Sequence, residues 1–396
     1  MPETTHRRHG AAAARTGRGR ALAVACGAHA LHDGYTDLIY VLLPVWQAEF
    51  ALGYGALAML RGLYAGAMAA LQVPAGRLAE RWGARPVLAL GTALAAAGYA
   101  LAGLSAGLAA LLAALALSGA GPSTQHPLAS AVVSRAWGGG AGARGALGTY
   151  NLAGDVGKAA LPTATALLLA ALSWRAALGV LAALGLAAAA GIAAFMPSGG
   201  RPDAAPEAAA TPGRRRGGFA LLLAIGVLDS GVRMGLLTFL PFLLQAKGAA
   251  LPTVGAALAL VFAGGAAGKF ACGWLGARLG LLRTVLLTEA GTAAAILLVL
   301  ALPLAPALAL LPVLGVALNG TSSVLYGTVP ELAPAGRTER AFAVFYTGTI
   351  GSGAVSPVLY GVLGDAAGPG WATAATAAVA LATCPLALIL APRLPR

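Results

Sequence analysis

The 396-residue sequence predicts an all-α membrane protein whose twelve transmembrane helices form two pseudo-symmetric six-helix bundles. Composition is the first observation, because 59% of the residues are hydrophobic and only 10% are charged, with a mean hydropathy of +0.80. Charged residues normally make up about a quarter of a soluble domain. The second observation is a series of apolar segments of about 20 residues, the length that crosses a bilayer. The third is a repeat that relates the two halves of the chain.

Glycine, proline and charged residues divide the apolar sequence into twelve predicted spans. The first span follows an arginine-rich stretch and contains "HALHDGYTD"; we interpret it as a retained helix because no convincing small-residue cleavage site is present. In chain order the predicted spans are 20–46, 55–76, 86–104, 107–134, 146–171, 175–196, 218–244, 252–275, 284–302, 304–329, 341–363 and 372–391. Their even number places both ends of the chain on the same side of the membrane.

The longest polar interruption, residues 197–217, has the proline, glycine and charge content of a flexible linker. It divides a predicted N-terminal bundle, 20–196, from a predicted C-terminal bundle, 218–391. A basic tail, 1–19, precedes the first bundle, and a short tail, 392–396, follows the second. The linker and both tails are expected in the cytoplasm.

An internal repeat supports two related bundles. A shift of 197 residues, the separation of Trp174 from Trp371, superposes these two tryptophans, and only 6 of the 396 residues are tryptophan. Other matches under the same shift pair Pro44 with Pro241, Gly76 with Gly273, Arg81 with Arg278, Gly83 with Gly280 and Gly154 with Gly351. Two six-helix halves related by duplication are therefore the predicted architecture.

Most of the 26 basic residues fall in loops and tails on one side of the predicted spans. The opposite loops hold only Arg175 and Lys247. Because basic loops are retained on the cytoplasmic side, we expect a multi-pass protein of the inner (plasma) membrane with both termini in the cytoplasm. This asymmetry accounts for the formal net charge of +13, so no nucleic-acid partner is expected.

The segment after the second span, "GRLAERWGARP" (Gly76–Pro86), resembles the cytoplasmic loop signature of the major facilitator superfamily, and "GWLGARLGLLR" (Gly273–Arg283) resembles a degraded copy of it. The resemblance covers the whole chain and implies the major facilitator fold. It also implies that the third, sixth, ninth and twelfth helices are outer supports while the others line a central cavity.

Within the superfamily, three segments are similar to the fosmidomycin-resistance-type exporters: "HALHDGYTDLIYVLLP" in the first helix, "LQVPAG" in the second and "GPSTQHPLASA" in the fourth. An arginine typical of the fourth helix in many drug/proton antiporters is absent, because "LLAALALSGAG" carries no charge. Proton coupling by that route is therefore not expected.

Five residues of the loop signature form a predicted cytoplasmic gate motif, namely Gly76, Glu80, Arg81, Gly83 and Arg85. The glycines permit a tight turn between two helices. Glu80 can accept hydrogen bonds from the arginines or from the amino end of a neighbouring helix, which would latch the two bundles together. The alternative is that these residues are ordinary solvated loop charges.

Ionisable residues inside the predicted spans are the candidate functional residues. A charge at the centre of a bilayer costs roughly 2.5 kcal/mol or more, so such a side chain usually faces a cavity or a partner. The helices expected to line the cavity carry His29, His32, Asp33, Asp37, Arg61, His126, Asp155, Lys158, Asp229, Arg233 and Lys269. Glu289, in the ninth span, is the exception, and we expect it to extend to the cytoplasmic surface.

Proton coupling requires groups that take up and release protons near neutral pH, and aspartate and histidine side chains in a membrane interior can do so. Asp33, near the middle of the first helix, and His126, before Pro127 in the fourth, are the leading candidates. Asp37 and Asp229 complete the predicted set. The alternative role for His126 is that of a hydrogen-bonded packing residue.

Cationic side chains in a low-dielectric cavity can attract a carboxylate or a phosphonate, so an anionic solute is one expected substrate class. The predicted substrate-binding residues are His32, Arg61, Gln72, Asp155, Lys158, Arg233 and Lys269. The expected ion pairs are Asp37 with Arg61, Asp155 with Lys158, and Asp229 with Arg233. The alternative is that each pair merely neutralises a charge so that it can be buried.

These features predict a secondary active transporter that works by alternating access and performs proton-coupled efflux of a small organic solute or drug, anions included. One alternative is proton-coupled uptake of an organic anion. Another is metal-ion transport, because His29, His32, Asp33 and Asp37 lie at a helical spacing that lets three of them reach one ion.

We expect no enzyme, because the sequence contains neither a nucleophile motif nor a nucleotide-binding loop. The expected partners are the small-molecule solute, protons and the lipid bilayer. We expect no cofactor and no resident metal, and the protein is expected to be a monomer.

Overall fold

A computed structural model of the chain describes residues 3–138, 140–197, 217–333 and 338–394. Within these ranges the chain forms α-helices joined by short connections, and no β-strand is present. The helices are α1 (Glu3–Phe50), α2 (Tyr54–Trp82), α3 (Ala84–Gly103), α4 (Leu108–Ala120), α5 (Gln125–Ala136), α6 (Gly140–Ala171), α7 (Trp174–Phe195), α8 (Gly218–Ala246), α9 (Leu251–Ala301), α10 (Leu304–Leu332), α11 (Thr338–Ala367) and α12 (Pro369–Leu390).

Nine segments of the described chain are long and apolar enough to cross a membrane. One of them consists of α4 and α5, which the 3₁₀ turn Pro122–Thr124 joins into a single span. Another is α9, whose 51 residues exceed a single crossing of about 20 residues. The predicted all-helical membrane fold is confirmed, and the number of twelve crossings stays a prediction.

Large apolar side chains point outwards from these helices, as expected for a surface in contact with lipid. Leu104 is 79% exposed, Phe270 75% and Trp371 68%. In water such a surface would favour aggregation, whereas lipid tails are as apolar as the side chains themselves. The buried positions between the helices hold small and polar residues as well as large apolar ones.

The two helices of the loop signature are separated by a single residue in a left-handed conformation. α2 continues to Trp82, α3 begins at Ala84, and Gly83 between them has φ 85° and ψ 159°. Glycine lacks the Cβ atom that penalises a positive φ. The predicted glycine turn is therefore confirmed at Gly83 and wrong at Gly76, which lies inside α2 because the helix continues almost two turns further.

The same turn recurs in the second half of the chain. Gly280 bends α9 with φ 76° and ψ 169°, and it is the residue that the 197-residue shift superposes on Gly83. Two glycines at equivalent repeat positions thus adopt nearly the same backbone conformation. This agreement supports the internal duplication predicted from the sequence.

The described chain divides into two compact units. Unit 1 comprises the described residues of Met1–Asp37, Ala67–Leu161 and Leu172–Ala204, and unit 2 comprises those of Leu38–Gly66, Pro162–Ala171 and Ala205–Arg396. Two pieces of the first sequence half therefore pack within unit 2: one runs from the end of α1 into α2, and the other is the end of α6. The units follow packing and do not coincide with the predicted boundary at the linker.

Within unit 2, the first residues of α2 are capped by a carboxylate from α11. Asp365 Oδ1 accepts a hydrogen bond of 2.5 Å from the backbone N–H of Tyr54, and Oδ2 accepts one of 2.9 Å from that of Gly55. A carboxylate at a helix N-terminus satisfies free N–H groups and interacts favourably with the helix dipole. Gly361 lies against the backbone of Gly55, so the two helices approach closely at this point.

We predict that Gly83→Ala destabilises the protein by about 1–2 kcal/mol, because alanine pays for the positive φ that glycine adopts freely. Gly76→Ala is the matched control: a Cβ atom at this helical position meets no atom within 4 Å. We expect it to be neutral or slightly stabilising, since alanine favours helix over glycine. Unfolding of the two variants in mixed micelles measures the difference, and equal stability of both would contradict the prediction.

Candidate functional site

Asp33 is the centre of a charged cluster in unit 1. Its Oδ2 atom lies 3.2 Å from Lys158 Nζ and 3.4 Å from His29 Nε2, and its Oδ1 atom lies 3.7 Å from His126 Nε2. The aspartate side chain is only 11% exposed, whereas that of His126 is 50% exposed. Three basic groups from α1, α5 and α6 therefore surround one carboxylate, and the imidazole of His126 forms its accessible side.

The helices bring this cluster together by simple spacing. His29 and Asp33 are four residues apart on α1, so they lie one turn apart on the same face. Lys158 and Asp155 are three residues apart on α6. The predicted Asp155–Lys158 pair is confirmed at 4.0 Å, but the lysine lies closer to Asp33, a contact that the sequence analysis did not predict.

A backbone hydrogen bond fixes the protonation pattern of His29. Its Nδ1 atom lies 2.8 Å from the carbonyl oxygen of Tyr150, and the ring stacks on the Tyr150 ring at a centroid distance of 4.0 Å. Because a carbonyl only accepts, Nδ1 carries the hydrogen. The other nitrogen, Nε2, faces the Asp33 carboxylate, so a favourable contact there requires a proton on either the imidazole or the carboxyl group. The His29 ring is thus held between Tyr150 and the Asp33 carboxylate.

Glycines of α6 allow this helix to approach α1. A Cβ atom at Gly154 would lie 2.7 Å from both Asp33 Oδ2 and His29 Cε1, and a Cβ at Gly157 would collide with the carbonyl of Ala30. The glycines in "GDVGKAALP" therefore allow α6 and α1 to pack closely. In unit 1 the helix that they approach is α1.

Gln125, next to His126, is a buried polar residue that the sequence analysis missed. It is 1% exposed, and within the described chain neither atom of its amide group has a hydrogen-bond partner. The Tyr150 hydroxyl donates to its backbone carbonyl at 3.5 Å. Buried amides are normally hydrogen-bonded, so Gln125 is an unusual buried polar group beside the charged cluster. Its place before "HP" in α5 was the available sequence signal.

The predicted metal-binding set is not assembled. His32 Nε2 forms a 2.9 Å hydrogen bond with Thr92 on α3, so this imidazole is directed away from the cluster. A different trio, His29, Asp33 and His126, has ligand atoms within 4.8 Å of one another. Lys158 contacts the same carboxylate, and its positive charge opposes a divalent cation there. His32 is also less suited to substrate binding than the sequence suggests, because its Nε2 atom is already hydrogen-bonded to Thr92.

Unit 2 contains a second polar cluster, in which a serine bridges the predicted Asp229–Arg233 pair. Arg233 Nη1 donates to Ser322 Oγ at 2.9 Å, and Ser322 Oγ donates to Asp229 Oδ2 at 3.2 Å. Both ionic residues lie on α8 and the serine lies on α10. The expected shared face is thus present, and α10 adds a hydroxyl that the spacing alone did not indicate.

Glu289 is placed differently from the prediction. The side chain is 2% exposed and lies beside Asp229, Thr321 and Thr383, so it does not extend to the cytoplasmic surface. The physical reason is the packing of α9, which turns this face towards α10 and α12. The ninth span therefore carries a buried polar group.

Of the remaining candidates, Arg61 is buried, and its guanidinium carbon lies 5.2 Å from the centroid of the Tyr40 ring. Stacking on an aromatic ring stabilises a buried guanidinium. Gln72 is half-buried and Lys269 is exposed. The Asp37–Arg61 pair, and the roles of these residues in substrate binding, stay predictions.

The gate motif has no latch within the described residues. Glu80 and Arg81 are exposed, Arg85 is half-buried, and Glu80 forms no ion pair or side-chain hydrogen bond with any described residue. The function of this motif as a latch therefore stays a prediction.

The model of the major facilitator superfamily matches residues 25–228 and 222–396, which together include nearly all of the chain. The chain belongs to this superfamily. It is accordingly a multi-pass membrane transporter and not an enzyme, and its superfamily typically binds small-molecule substrates. No curated protein sequence matches it significantly.

Solved structures of superfamily transporters have the same fold. A bacterial homologue of the human lysosomal transporter Spinster, in an inward-facing and occupied conformation, is 16% identical with a TM-score of 0.78, covering 95% of this chain and 97% of that one. A point variant of the nucleoside transporter NupG is 12% identical with a TM-score of 0.76, covering 95% and 99%. The human organic anion transporter MFSD10 (TETRAN) is 19% identical with a TM-score of 0.64, covering 93% and 99%. At these identities the similarity establishes the fold alone.

We predict that Gly154→Ala displaces the His29–Asp33 pair, because the added methyl group would lie 2.7 Å from atoms of both side chains. The nitrogen NMR signals of selectively labelled histidine should shift for His29 in this variant. Gly148→Ala on the same helix is the control, since a Cβ there meets no atom within 4 Å. Unchanged His29 signals in Gly154→Ala, or equal shifts in both variants, would argue against the described arrangement.

Proposed function

We propose that this transporter exports a small organic solute in exchange for protons, with Asp33 as the proton-binding residue. The observation that carries the proposal is the contact of one carboxylate with Lys158, His29 and His126. The similarity of the first, second and fourth helices to fosmidomycin-resistance-type exporters supports the direction of transport. A proton gradient across the inner membrane would then drive efflux.

Exchange requires that solute and proton compete for the same group. The deprotonated Asp33 carboxylate can accept a hydrogen bond from a donor group of the solute, whereas a proton on this carboxyl group removes an acceptor. The half-exposed His126 provides a path for the proton to reach Asp33. A bound solute and a bound proton thereby exclude each other.

Lys158 supports a second candidate, proton-coupled uptake of an organic anion. Its side chain is 31% exposed and lies between Asp33 and Asp155. An anionic solute that attracted this ammonium group would withdraw it from Asp33, and an aspartate without its counter-ion would favour protonation. In this case solute and proton bind together and move in the same direction. The two candidates therefore differ in the sign of the linkage between solute and proton.

The experiment is counterflow of a panel of labelled organic solutes, anions included, into proteoliposomes with and without a pH gradient. We predict that Asp33→Asn abolishes the effect of the gradient and retains counterflow at equal pH, because the amide cannot exchange a proton. Glu331→Gln, which replaces an exposed acid on α10, is the matched control and should behave as wild type. A full response of Asp33→Asn to the gradient would refute the role of Asp33.

In the same assay, Lys158→Ala distinguishes the two candidates. If the solute is an anion bound by the ammonium group, its affinity should fall about tenfold to a hundredfold, the value of one charge-assisted hydrogen bond. Arg340→Ala, at an exposed position on α11, is the control. Unchanged affinity in Lys158→Ala would exclude the anion-uptake candidate and favour exchange of a neutral or cationic solute.

We propose that the contact of Asp365 with the start of α2 breaks during alternating access. We predict that Asp365→Ala shifts the population towards the open state by about 1 kcal/mol, or roughly fivefold, through loss of the helix cap. The rate at which a membrane-impermeant maleimide labels Ala58→Cys, a buried position one turn along α2, reports this opening. Glu331→Ala provides the control, and equal labelling rates in the two variants would contradict the gating role.

A further inference from the structure

Unit 2 holds two acidic side chains in direct contact. Asp229 on α8 and Glu289 on α9 hydrogen-bond to each other, and the two residues are only 5% and 2% exposed. Neither is part of the cluster around Asp33. Their helices belong to a different packing unit, and Glu289 comes from a span that the family resemblance assigns to an outer support.

Contact between two carboxyl groups has a chemical requirement. An ionised carboxylate has only acceptor atoms, so two carboxylates cannot hydrogen-bond to each other. One proton between them supplies the donor and removes the repulsion of like charges. The contact between Asp229 and Glu289 therefore specifies that the pair carries a proton.

The charges around the Asp229–Glu289 pair are balanced when the pair binds one proton. Arg233 on α8 is the nearby cation, linked to Asp229 through Ser322 of α10, so two acids face one permanent positive charge. One added proton makes the group neutral. Thr321 on α10 and Thr383 on α12 lie beside Glu289, and the other titratable groups nearby are Tyr326 on α10 and Cys384 on α12.

A sodium ion is the competing ligand for two carboxylates and threonine hydroxyls. The guanidinium group of Arg233 opposes it, because Ser322 already connects this cation to Asp229. A proton needs no coordination shell, whereas sodium would need several oxygen ligands arranged around it. The arrangement therefore favours the proton.

We propose that Asp229 and Glu289 form a second proton-binding site, which carries one proton shared between the two carboxyl groups and adds it to the transport cycle. The transport part of this inference rests on the proposed function, whereas the presence of the proton does not. Ser322 links the site to Arg233, so a change in the position of α8 relative to α10 would alter the proton's surroundings. This gives the site a way to release the proton during transport.

The test is infrared difference spectroscopy of the full-length protein in nanodiscs without solute, in which a protonated carboxyl group gives a deuterium-sensitive carbonyl band. We expect wild type to have such a band at neutral pH, Asp33→Asn to retain it, and Glu289→Gln and Asp229→Asn each to lose it. Glu331→Gln should leave it unchanged. Two results would overturn the inference: absence of the band from wild type, or its persistence in both pair variants.

Two further measurements complete the experiment: the effect of added sodium on the band, and the proton-to-solute ratio of transport. If addition of sodium to a sodium-free sample abolished the band, the pair would be a sodium site and the proton proposal would be wrong. In proteoliposomes, Glu289→Gln should lower the proton-to-solute ratio by one proton, while Asp33→Asn loses the response to a pH gradient. An unchanged ratio in Glu289→Gln would remove the pair from the transport cycle. Absence of gradient-driven transport in wild type would refute the proposed function and leave the spectroscopic result standing.

Discussion

The structure depends on the cost of placing a carboxylate inside a membrane. The Asp33 side chain is only 11% exposed, so protein groups must supply most of its hydrogen-bond donors and its counter-charge. Lys158, His29 and His126 supply them from three helices, and this requirement brings α1, α5 and α6 together. Gly154 and Gly157 then make the approach of α6 to α1 sterically possible. Charge determines which helices meet, and glycine determines how closely they pack.

The two polar clusters satisfy this requirement in different ways. Around Asp33, basic side chains outnumber the acid that they contact, and part of the cluster is open at His126. Around Asp229, a second acid takes the place of further cations, and the Ser322 hydroxyl donates a hydrogen bond to the aspartate. The first arrangement suits exchange with a mobile solute. The second is closed and suits a ligand as small as a proton.

Much of the fold could be predicted from the sequence because membrane spans have a simple signal. Apolar segments of the right length gave the helices to within a few residues in most cases, and the repeat identified Gly83 and Gly280 as equivalent turns. The turn at Gly76 was wrong, since glycine within a helix and glycine in a turn look alike in a sequence. The position predicted for Glu289 was also wrong, because the sequence does not reveal which face of α9 meets α10 and α12.

The sequence indicated most of the residues that form the site, but it did not indicate which of them contact each other. Asp33, His126 and Lys158 stand out as charges in apolar segments, but only packing places the lysine of α6 on the aspartate of α1. His32 shows the limit of spacing arguments, because it lies beside Asp33 in the sequence and faces Thr92 on another helix. Gln125 and Tyr150 carry no charge and gave a weaker signal, although they contribute buried polar groups to the same region.

The turns at Gly83 and Gly280 have a mechanical consequence. A connection of one residue has no slack, so α2 cannot travel along its axis without pulling α3, and the two segments of α9 are tied in the same way. A glycine can still rotate about its own backbone bonds at little cost. The glycine therefore acts as a hinge. The two helices can change the angle between them, but the distance between their joined ends is fixed.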